Sequence, residues 1–228
     1  MRVAFQLSLP LHLKPYAGKE KFYLMSTKKH PLSQRFRGYY PVVIDVETGG
    51  LDPEKHALLE VAAVFLTLDE QGSLVPLETV DFKILPDAHC EIDEKSLKIN
   101  KIDMELHRVS AISEADAIKA LFTLIRKAIK KHHCVRGILT GHNASFDLDF
   151  LEAAAKRHGI KRNPFHPFSV IDTVSLSALF YGQTTLKNAC FEAKIEFNES
   201  FAHSAIYDAE KTAELLCHIH NTHKKAAS

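Results

Sequence analysis

Residues 41–50 read PVVIDVETGG, and the rest of the chain is organised around this stretch. Residues 42–44 are an apolar, β-branched run typical of a buried strand, and the two closing glycines predict a turn. Asp45 and Glu47 are two residues apart, so their side chains lie on the same face of a strand. Two carboxylates this close repel each other, and a divalent cation with oxygen ligands, Mg²⁺ or Mn²⁺, would relieve the repulsion. The alternative is that Asp45 caps a turn and Glu47 pairs with a surface lysine.

The composition indicates one large domain, alone or with an extension. The chain has 228 residues, of which 46% are apolar, and this is enough for a sizeable core. A formal net charge of +1 excludes a global basic field, so a nucleic-acid partner would be held by local patches. No stretch resembles a membrane span, and we expect no membrane partner. Four cysteines without Cys-x-x-Cys spacing favour free thiols in a reducing compartment, which predicts a cytoplasmic location.

The N-terminal segment, residues 1–34, differs in character from the rest and is predicted to be an extension. Pro10 and His12 interrupt the apolar run that follows Arg2, and this disfavours a secretory signal peptide. Met25 offers an alternative start, in which case residues 1–24 would precede the native protein.

The hydrophobic patterns predict a sheet followed by alternating helices and strands. Short connections make the predicted strands at 41–48, 57–68 and 77–85 an antiparallel meander. After Pro86, the patterns predict an α/β fold with a mixed sheet, three antiparallel strands and then parallel ones, flanked by helices. The predicted later elements are helices at 113–129, 145–158, 173–181, 185–193 and 204–222, and short strands at 137–140 and 169–172.

Two further acidic residues stand where additional cation ligands would be needed. Asp147 and Asp208 are each predicted in the first turn of a helix. Residues five apart in one helix point about 140° away from each other. His203 can therefore cooperate with Asp208 only from the loop before the Ser204 cap, where it can swing over the site. Taken singly, each has an ordinary explanation, since acids are favoured at helix N-termini and surface histidines are common. Glu60, inside the second predicted strand, is a candidate to support the site.

Taken together, these residues resemble the DEDD exonuclease superfamily in its His-containing branch. The order and spacing of the four carboxylates agree with that branch, as does a histidine five residues before the last. Within it, the chain is similar to the ribonuclease T family over about residues 35–222, which gives an exonuclease domain at 35–224. The matching segments are RFRGYYPVVIDVET at 35–48, HNASFD at 142–147, RNPFHPF at 162–168, GQT at 182–184, KNAC at 187–190 and AHSAIYD at 202–208.

The resemblance implies a ribonuclease H-like fold and 3′→5′ exonuclease activity that releases nucleoside 5′-monophosphates. It implies two Mg²⁺ ions per subunit, with Mn²⁺ as the alternative, one activating a water and one stabilising the leaving 3′ oxygen. His203 would accept the proton of that water. Asp172 would lie near the site, although it could equally be the N-cap of its helix. The implied metal ligands are Asp45, Glu47, Asp147, His203 and Asp208.

The resemblance also implies a wedge of four phenylalanines around the last two bases of the substrate. Phe146 and Phe168 match two of these positions, while Leu51 and Ile99 occupy the other two. Bases stack on aromatic rings, so we expect a weaker grip here and a weaker block at a 3′-terminal cytosine. Lys95, at a position expected to be acidic, points the same way, and core packing is the alternative for Phe146.

A basic patch is implied as well, serving the active site of the opposite subunit in a homodimer. The expected substrates are the short single-stranded 3′ ends of structured RNAs, such as tRNA and rRNA precursors, and also single-stranded DNA. Ordinary solubilising charge is the alternative explanation for the patch. Its expected members are Arg35, Arg37, Arg136, Lys161 and Arg162.

Three competing functions remain open from the residues alone. One is another exonuclease of the same branch, a proofreading subunit or an oligoribonuclease, although an enzyme for short oligomers has little reason to carry the 162–168 stretch. A non-catalytic nucleic-acid-binding protein would not need all four carboxylates. A metal-dependent phosphatase gives no reason for the basic and aromatic residues.

Overall fold

The computed structural model describes residues 30–226 of the chain. The predicted extension therefore lies largely outside the described residues, and so does Met25. The described part opens with two short 3₁₀ helices, Pro31–Gln34 and Phe36–Gly38, that lead directly into the sheet.

A six-stranded mixed sheet forms the centre of the protein. Its strands are β1 (Tyr39–Thr48), β2 (Leu58–Leu68), β3 (Leu74–Leu85), β4 (Ile112–Ser113), β5 (Arg136–Gly141) and β6 (Phe165–Asp172). Their order across the sheet is β4-β3-β2-β1-β5-β6. The first three strands pair antiparallel, and β5 and β6 run parallel to β1. The predicted mixed α/β sheet is therefore confirmed, and β4, which pairs parallel with β3, is an addition.

Within residues 30–226, seven α-helices flank the sheet. They are α1 (Glu94–Asn100), α2 (Met104–Ser110), α3 (Glu114–Lys131), α4 (Ala144–Arg157), α5 (Thr173–Tyr181), α6 (Leu186–Glu192) and α7 (Ala205–Ala226). The five predicted helices are present, with ends that differ by a few residues. The sequence analysis missed α1 and α2, which have seven residues each and are too short for a clear apolar period. Their capping residues, Asp93 and Asp103, were the available signal.

Strand β1 lies in the middle of the sheet because its apolar run can be covered on both sides. Residues 42–44 have no exposed surface, and they belong to the main core together with α3, α4 and α7. On α3, Leu121, Phe122 and Ile125 form the buried face. Both neighbours of β1 are strands, so its backbone is hydrogen-bonded on both edges. The end of this strand is therefore a rigid place on which to hold catalytic side chains.

Strand β3 begins at Leu74, three residues earlier than the sequence predicted. Leu74 and Val75 pair with Leu68 and Thr67 of β2, and a contact with the last helix adds to this pairing. Asn221 of α7 accepts a hydrogen bond from the Leu74 N–H at 2.8 Å and donates one to the Leu74 carbonyl at 2.9 Å. This side-chain pairing comes from a residue 147 positions away, so no local pattern could have indicated it.

The parallel strands place two groups of residues at opposite ends of the strands. We call these two ends the edges of the sheet. In the register, Tyr39 of β1 lies beside Arg136, and Gly141 of β5 lies beside Asp172. The strands β1, β5 and β6 therefore begin at one edge and end at the other, where the acidic residues lie. Among residues 30–226, no helix has the length and apolar character needed to cross a membrane.

Candidate active site

Three carboxylates converge at the end of β1. Asp45 and Glu47 project from the same face of the strand, and Asp208 comes from the first turn of α7. One carboxylate oxygen of each lies within 4.8 Å of the others. The register between β1 and β2 shifts between Glu47 and Thr48, where Glu47 pairs with Glu60 and Thr48 with Leu58. The structure thus brings together three of the predicted site residues.

Asp147 is held beside this cluster by a backbone hydrogen bond. It lies in the first turn of α4, as predicted, and its Oδ1 accepts the N–H of Val46 at 3.0 Å. Gly141 leaves room for it, because a Cβ at that position would lie 3.0 Å from Asp147 Oδ2. The loop between them turns through Asn143, with a φ of 80°. Asp147 is thus fixed between Asp45 and Glu47 along the chain direction of β1, although it is outside the group of three.

The carboxyl groups of the cluster have raised pKa values, because they are buried close to one another. Burial, followed by the charges of Asp147, Glu47 and Asp208, raises the pKa of Asp45 well above its usual range. Burial also raises the pKa of Asp147 well above its usual range, against the Val46 hydrogen bond that lowers it. Each neighbour makes ionisation of the next one harder, so the fully ionised cluster requires a positive charge.

Glu47 shows the same effect with a defined size. Burial, followed by the charges of Asp208, Glu60 and Asp147, raises its pKa to about 8. A hydrogen bond from Asn100 opposes this rise. The contribution of Glu60, which lies opposite Glu47 in the β1–β2 register, is consistent with its predicted supporting role.

Asp208 offers the most direct indication of a bound cation. Burial raises its pKa, while the His203 hydrogen bond and the charges of His203 and Lys101 lower it. Its Oδ2 accepts the backbone N–H of His203 at 3.0 Å. Its Oδ1 is buried and has no hydrogen-bond partner among the described residues. An orphaned carboxylate oxygen in a cluster of oxygen donors fits a hard divalent cation such as Mg²⁺ or Mn²⁺.

His203 lies on the loop before α7, as the spacing argument requires. Its φ of 67° is in the left-handed region, and its side chain is exposed. It lines two clefts, of about 340 Å³ and about 580 Å³, and the larger one also contains Asp208. Within the described part of the chain, the group of three carboxylates includes neither His203 nor Asp147.

The structure adds one residue that the sequence analysis missed. Asn100 is buried at the end of α1, and its Nδ2 donates to the Thr48 carbonyl at 3.2 Å. The same side chain hydrogen-bonds the Glu47 carboxylate. It belongs to a short helix that no periodicity revealed, so nothing in the sequence pattern pointed to it.

Asp172 acts as the N-cap of α5, the second of its two predicted roles. Its Oδ1 accepts the Val174 N–H at 2.7 Å and lies 3.5 Å from the Asn143 nitrogen. Its charge also raises the pKa of Asp147, so it is close enough to influence the site.

The four predicted base-stacking residues differ in how open they are. Leu51, Ile99 and Phe168 are 81%, 60% and 81% exposed. Ile99 lines the larger cleft beside His203. Phe146 is only half-buried, with its ring 4.9 Å from that of Phe150, so it also serves the core.

Phe168 lies farther from the carboxylates than the other three residues, toward the start of β6. It is on β6, four residues before Asp172, and this corresponds to about 13 Å along an extended strand. Its ring packs edge-on against His166 at 4.5 Å. Lys95 is exposed in the first turn of α1.

The predicted basic residues collect at the edge of the sheet opposite the carboxylates. All five are exposed, and they precede or begin the parallel strands. Tyr39 of β1, which pairs with Arg136, carries the Arg37 guanidinium 5.1 Å from its ring centroid. From Tyr39 to Asp45 the strand extends about 20 Å. The residues at this edge are Arg35, Arg37, Arg136, Lys161 and Arg162.

The chain is similar to several known proteins. Residues 42–216 match the model of a family described as Exonuclease (RNase T). A ribonuclease T of Haemophilus influenzae (strain PittEE) is 52% identical over 190 residues, which cover 83% of this chain and 83% of the relative. A ribonuclease T of Photorhabdus laumondii subsp. laumondii is 49% identical over 203 residues, which cover 88% of this chain and 94% of the relative.

Among solved structures, E. coli exonuclease I in complex with a dT13 oligonucleotide is similar in fold. The TM-score is 0.63 at 17% sequence identity, over 83% of this chain. The chain spans 43% of the length of that protein, so the likeness concerns the shared fold alone.

Proposed function

Because the chain belongs to the ribonuclease T family of exonucleases, we propose that it trims short single-stranded 3′ ends of structured RNAs with a divalent cation at the acidic site. It is a nuclease that hydrolyses phosphodiester bonds in the 3′→5′ direction. The resemblance found in the sequence is therefore confirmed at the level of family, fold and reaction. The RNA substrates, the identity of the cation and the roles of single residues are our proposals.

The observation that carries this proposal is a cluster of buried carboxylates that lie close enough to repel one another. Asp45, Glu47 and Asp208 offer oxygens within 4.8 Å of one another, and one Asp208 oxygen lacks a hydrogen-bond partner among the described residues. The set contains no thiolate, so it suits hard cations, and Mg²⁺ is our first choice. When bound, the cations supply Lewis-acid chemistry that makes a nucleophile from water and offsets the charge on the leaving oxygen.

The chain's own residues prepare the site for this reaction. Asp45 and Glu47 are held on a central strand, and the Val46 N–H fixes Asp147 beside them. Asn100 restrains the Glu47 carboxylate through its amide. These contacts hold the ligand oxygens in place before substrate arrives, so little reorganisation is required during the reaction.

His203 is the proposed proton acceptor. Its backbone is tied to Asp208 by a 3.0 Å hydrogen bond, while its imidazole is exposed at the junction of two clefts. A histidine can exchange a proton near neutral pH, so it can take the proton of an attacking water. The loop position allows the ring to approach the acidic site once substrate is bound.

The basic edge supports the proposal of a homodimer. It lies about 20 Å from the carboxylates of its own subunit along β1, so binding the RNA backbone in trans would bring the two parts together. Exchange of subunits between two inactive variants tests this. Arg35→Ala with Arg37→Ala, mixed with Asp45→Asn, should recover partial activity. Continued inactivity after demonstrated exchange would favour binding within one subunit.

The experiment that tests the function uses a labelled tRNA ending in CCA and a single-stranded DNA. The protein should release nucleotides from the RNA 3′ end with Mg²⁺, and EDTA should stop the release. Asp45→Asn should also stop it while leaving the fold intact. Degradation of only very short RNA oligomers would indicate an oligoribonuclease instead. We propose a cytoplasmic location, where such RNAs are found.

A further inference from the structure

Lys101 occupies an unusual backbone position at the rim of the acidic site. It directly follows α1 and has a φ of 56° and a ψ of 27°. This left-handed conformation at the end of a helix is strongly favoured for glycine and disfavoured for residues with a side chain. The chain therefore has a lysine at a position where a glycine would make the folded protein more stable.

The backbone around Lys101 is anchored to the catalytic strand. The preceding residue, Asn100, donates to the Thr48 carbonyl at 3.2 Å and hydrogen-bonds Glu47. Its Oδ1 lies 3.4 Å from the Ile102 nitrogen, on the other side of Lys101. The position of Lys101 relative to the carboxylates is therefore fixed by its neighbours, while its own side chain is exposed.

Lys101 lines both clefts that meet at His203. The smaller one extends toward Phe201, and the larger one contains Ile99 and Asp208. Within residues 30–226, the Lys101 ammonium forms no ion pair, in contrast to Lys156 and Lys187, whose partners are 2.8 Å and 2.6 Å away. An unpaired cation beside an acidic site is available to an anionic ligand that enters either cleft.

We propose that Lys101 binds a non-bridging phosphate oxygen of the single-stranded substrate as its 3′ end enters the acidic site. This inference rests on the proposed function. The substrate is a polyanion, and the ionised carboxylates of the site repel it until cations are bound. The Lys101 ammonium, carried at the rim by an anchored backbone, offsets that repulsion and binds the strand next to Ile99, where an aliphatic side chain gives no base stacking. Lys101 would thus be a substrate-binding residue that the motifs of the family did not reveal.

The alternative role is local to the protein. The positive charge of Lys101 lowers the pKa of Asp208, so it could serve only to moderate the charge of the carboxylates. In that case its loss would change the dependence of activity on the Mg²⁺ concentration. It would leave the salt dependence of substrate binding unchanged.

The test compares Lys101→Gly with a matched control, Lys194→Gly. Lys194 is also exposed and left-handed, with a φ of 58°, but it follows α6 on a different part of the chain. Both substitutions should raise the melting temperature, because glycine suits both positions. Only Lys101→Gly should raise KM for a single-stranded RNA, by about tenfold at low salt, with kcat nearly unchanged. The slope of log KM against log salt should fall by about 0.7, and Lys101→Arg should restore it.

Two outcomes would overturn the inference. In the first, the wild-type protein is active, but Lys101→Gly has the same KM and the same slope of log KM against log salt as the wild type. The other is an altered Mg²⁺ dependence with an unchanged salt slope. If the wild-type protein itself releases no nucleotides, the proposed function fails, and this result is distinct from either.

Discussion

Neutralising Glu47 should stabilise the cation-free protein at alkaline pH while it abolishes activity. Below pH 4.5 this carboxyl is protonated in both the folded and the unfolded chain, so its burial does not lower the free energy of unfolding. As the pH rises from 4.5 to about 8, the unfolded chain loses the proton while the folded protein retains it, so stability falls. The substitution Glu47→Gln keeps the size and shape of the side chain and removes the carboxyl group that titrates.

The size of the effect follows from the shift in pKa. Between an ordinary value of 4.5 and a folded value of about 8, the stability lost by pH 8 is about 4 kcal/mol, compared with about 1 kcal/mol at pH 5. For a chain of this length, about 3 kcal/mol corresponds to a shift of roughly 6–12 °C in melting temperature. In EDTA, the advantage of Glu47→Gln over wild type should therefore grow by this amount from pH 5 to pH 8.

The assay is thermal unfolding at the two pH values, in EDTA and again in excess Mg²⁺. Wild type should gain stability from Mg²⁺ at pH 8, because a cation that binds only the folded state stabilises it. Glu47→Gln should gain much less. Glu70→Gln, an exposed residue in the turn after β2, is the control and should track wild type throughout. An advantage of Glu47→Gln that does not grow with pH would refute the buried, mutually repelling cluster.

Three further predictions concern the rest of the site. Gly141→Ala should cost about 1–3 kcal/mol and reduce activity, because the new Cβ crowds Asp147 Oδ2; an unfolding curve like that of wild type would contradict this. His203→Ala should slow turnover by roughly 10²–10⁴-fold with an unchanged melting temperature, and a near-normal rate would make it a spectator. Leu51→Phe with Ile99→Phe should strengthen the cytosine block, since each ring adds about 1–3 kcal/mol of stacking. Rates for four oligonucleotides that differ only in the last base measure it, and equal cytosine penalties in the two proteins would reject it.

The terminal stretch of β1 illustrates what local sequence could predict. An apolar β-branched run followed by Asp45 and Glu47 predicted both the buried strand and the shared face of the carboxylates. Both follow from the alternation of side chains along a strand, which is a property of neighbouring residues. The loop position of His203 came from helix geometry in the same way, because five residues cannot place it and Asp208 on one face.

The residues at helix starts were ambiguous from the sequence. An acid in the first turn of a helix has a favourable interaction with the helix dipole wherever the helix lies. Only the packing of α4 and α7 against the sheet brought Asp147 to the Val46 N–H and Asp208 to the β1 carboxylates. For Asp172, the structure shows the capping role, and the charge of Asp172 also reaches Asp147.

The sequence by itself determined the order of the longer elements, the family and the set of four carboxylates, because these depend on periodicity and on motifs of neighbouring residues. Tertiary structure alone decided how much charge is buried at the site, where the basic edge lies, and that Asn100 and Lys101 border it. Those features arise from contacts between distant segments, such as the 52-residue separation of Asn100 and Thr48. No local pattern encodes such a contact, since its energy exists only when the sheet and its flanking helices have come together.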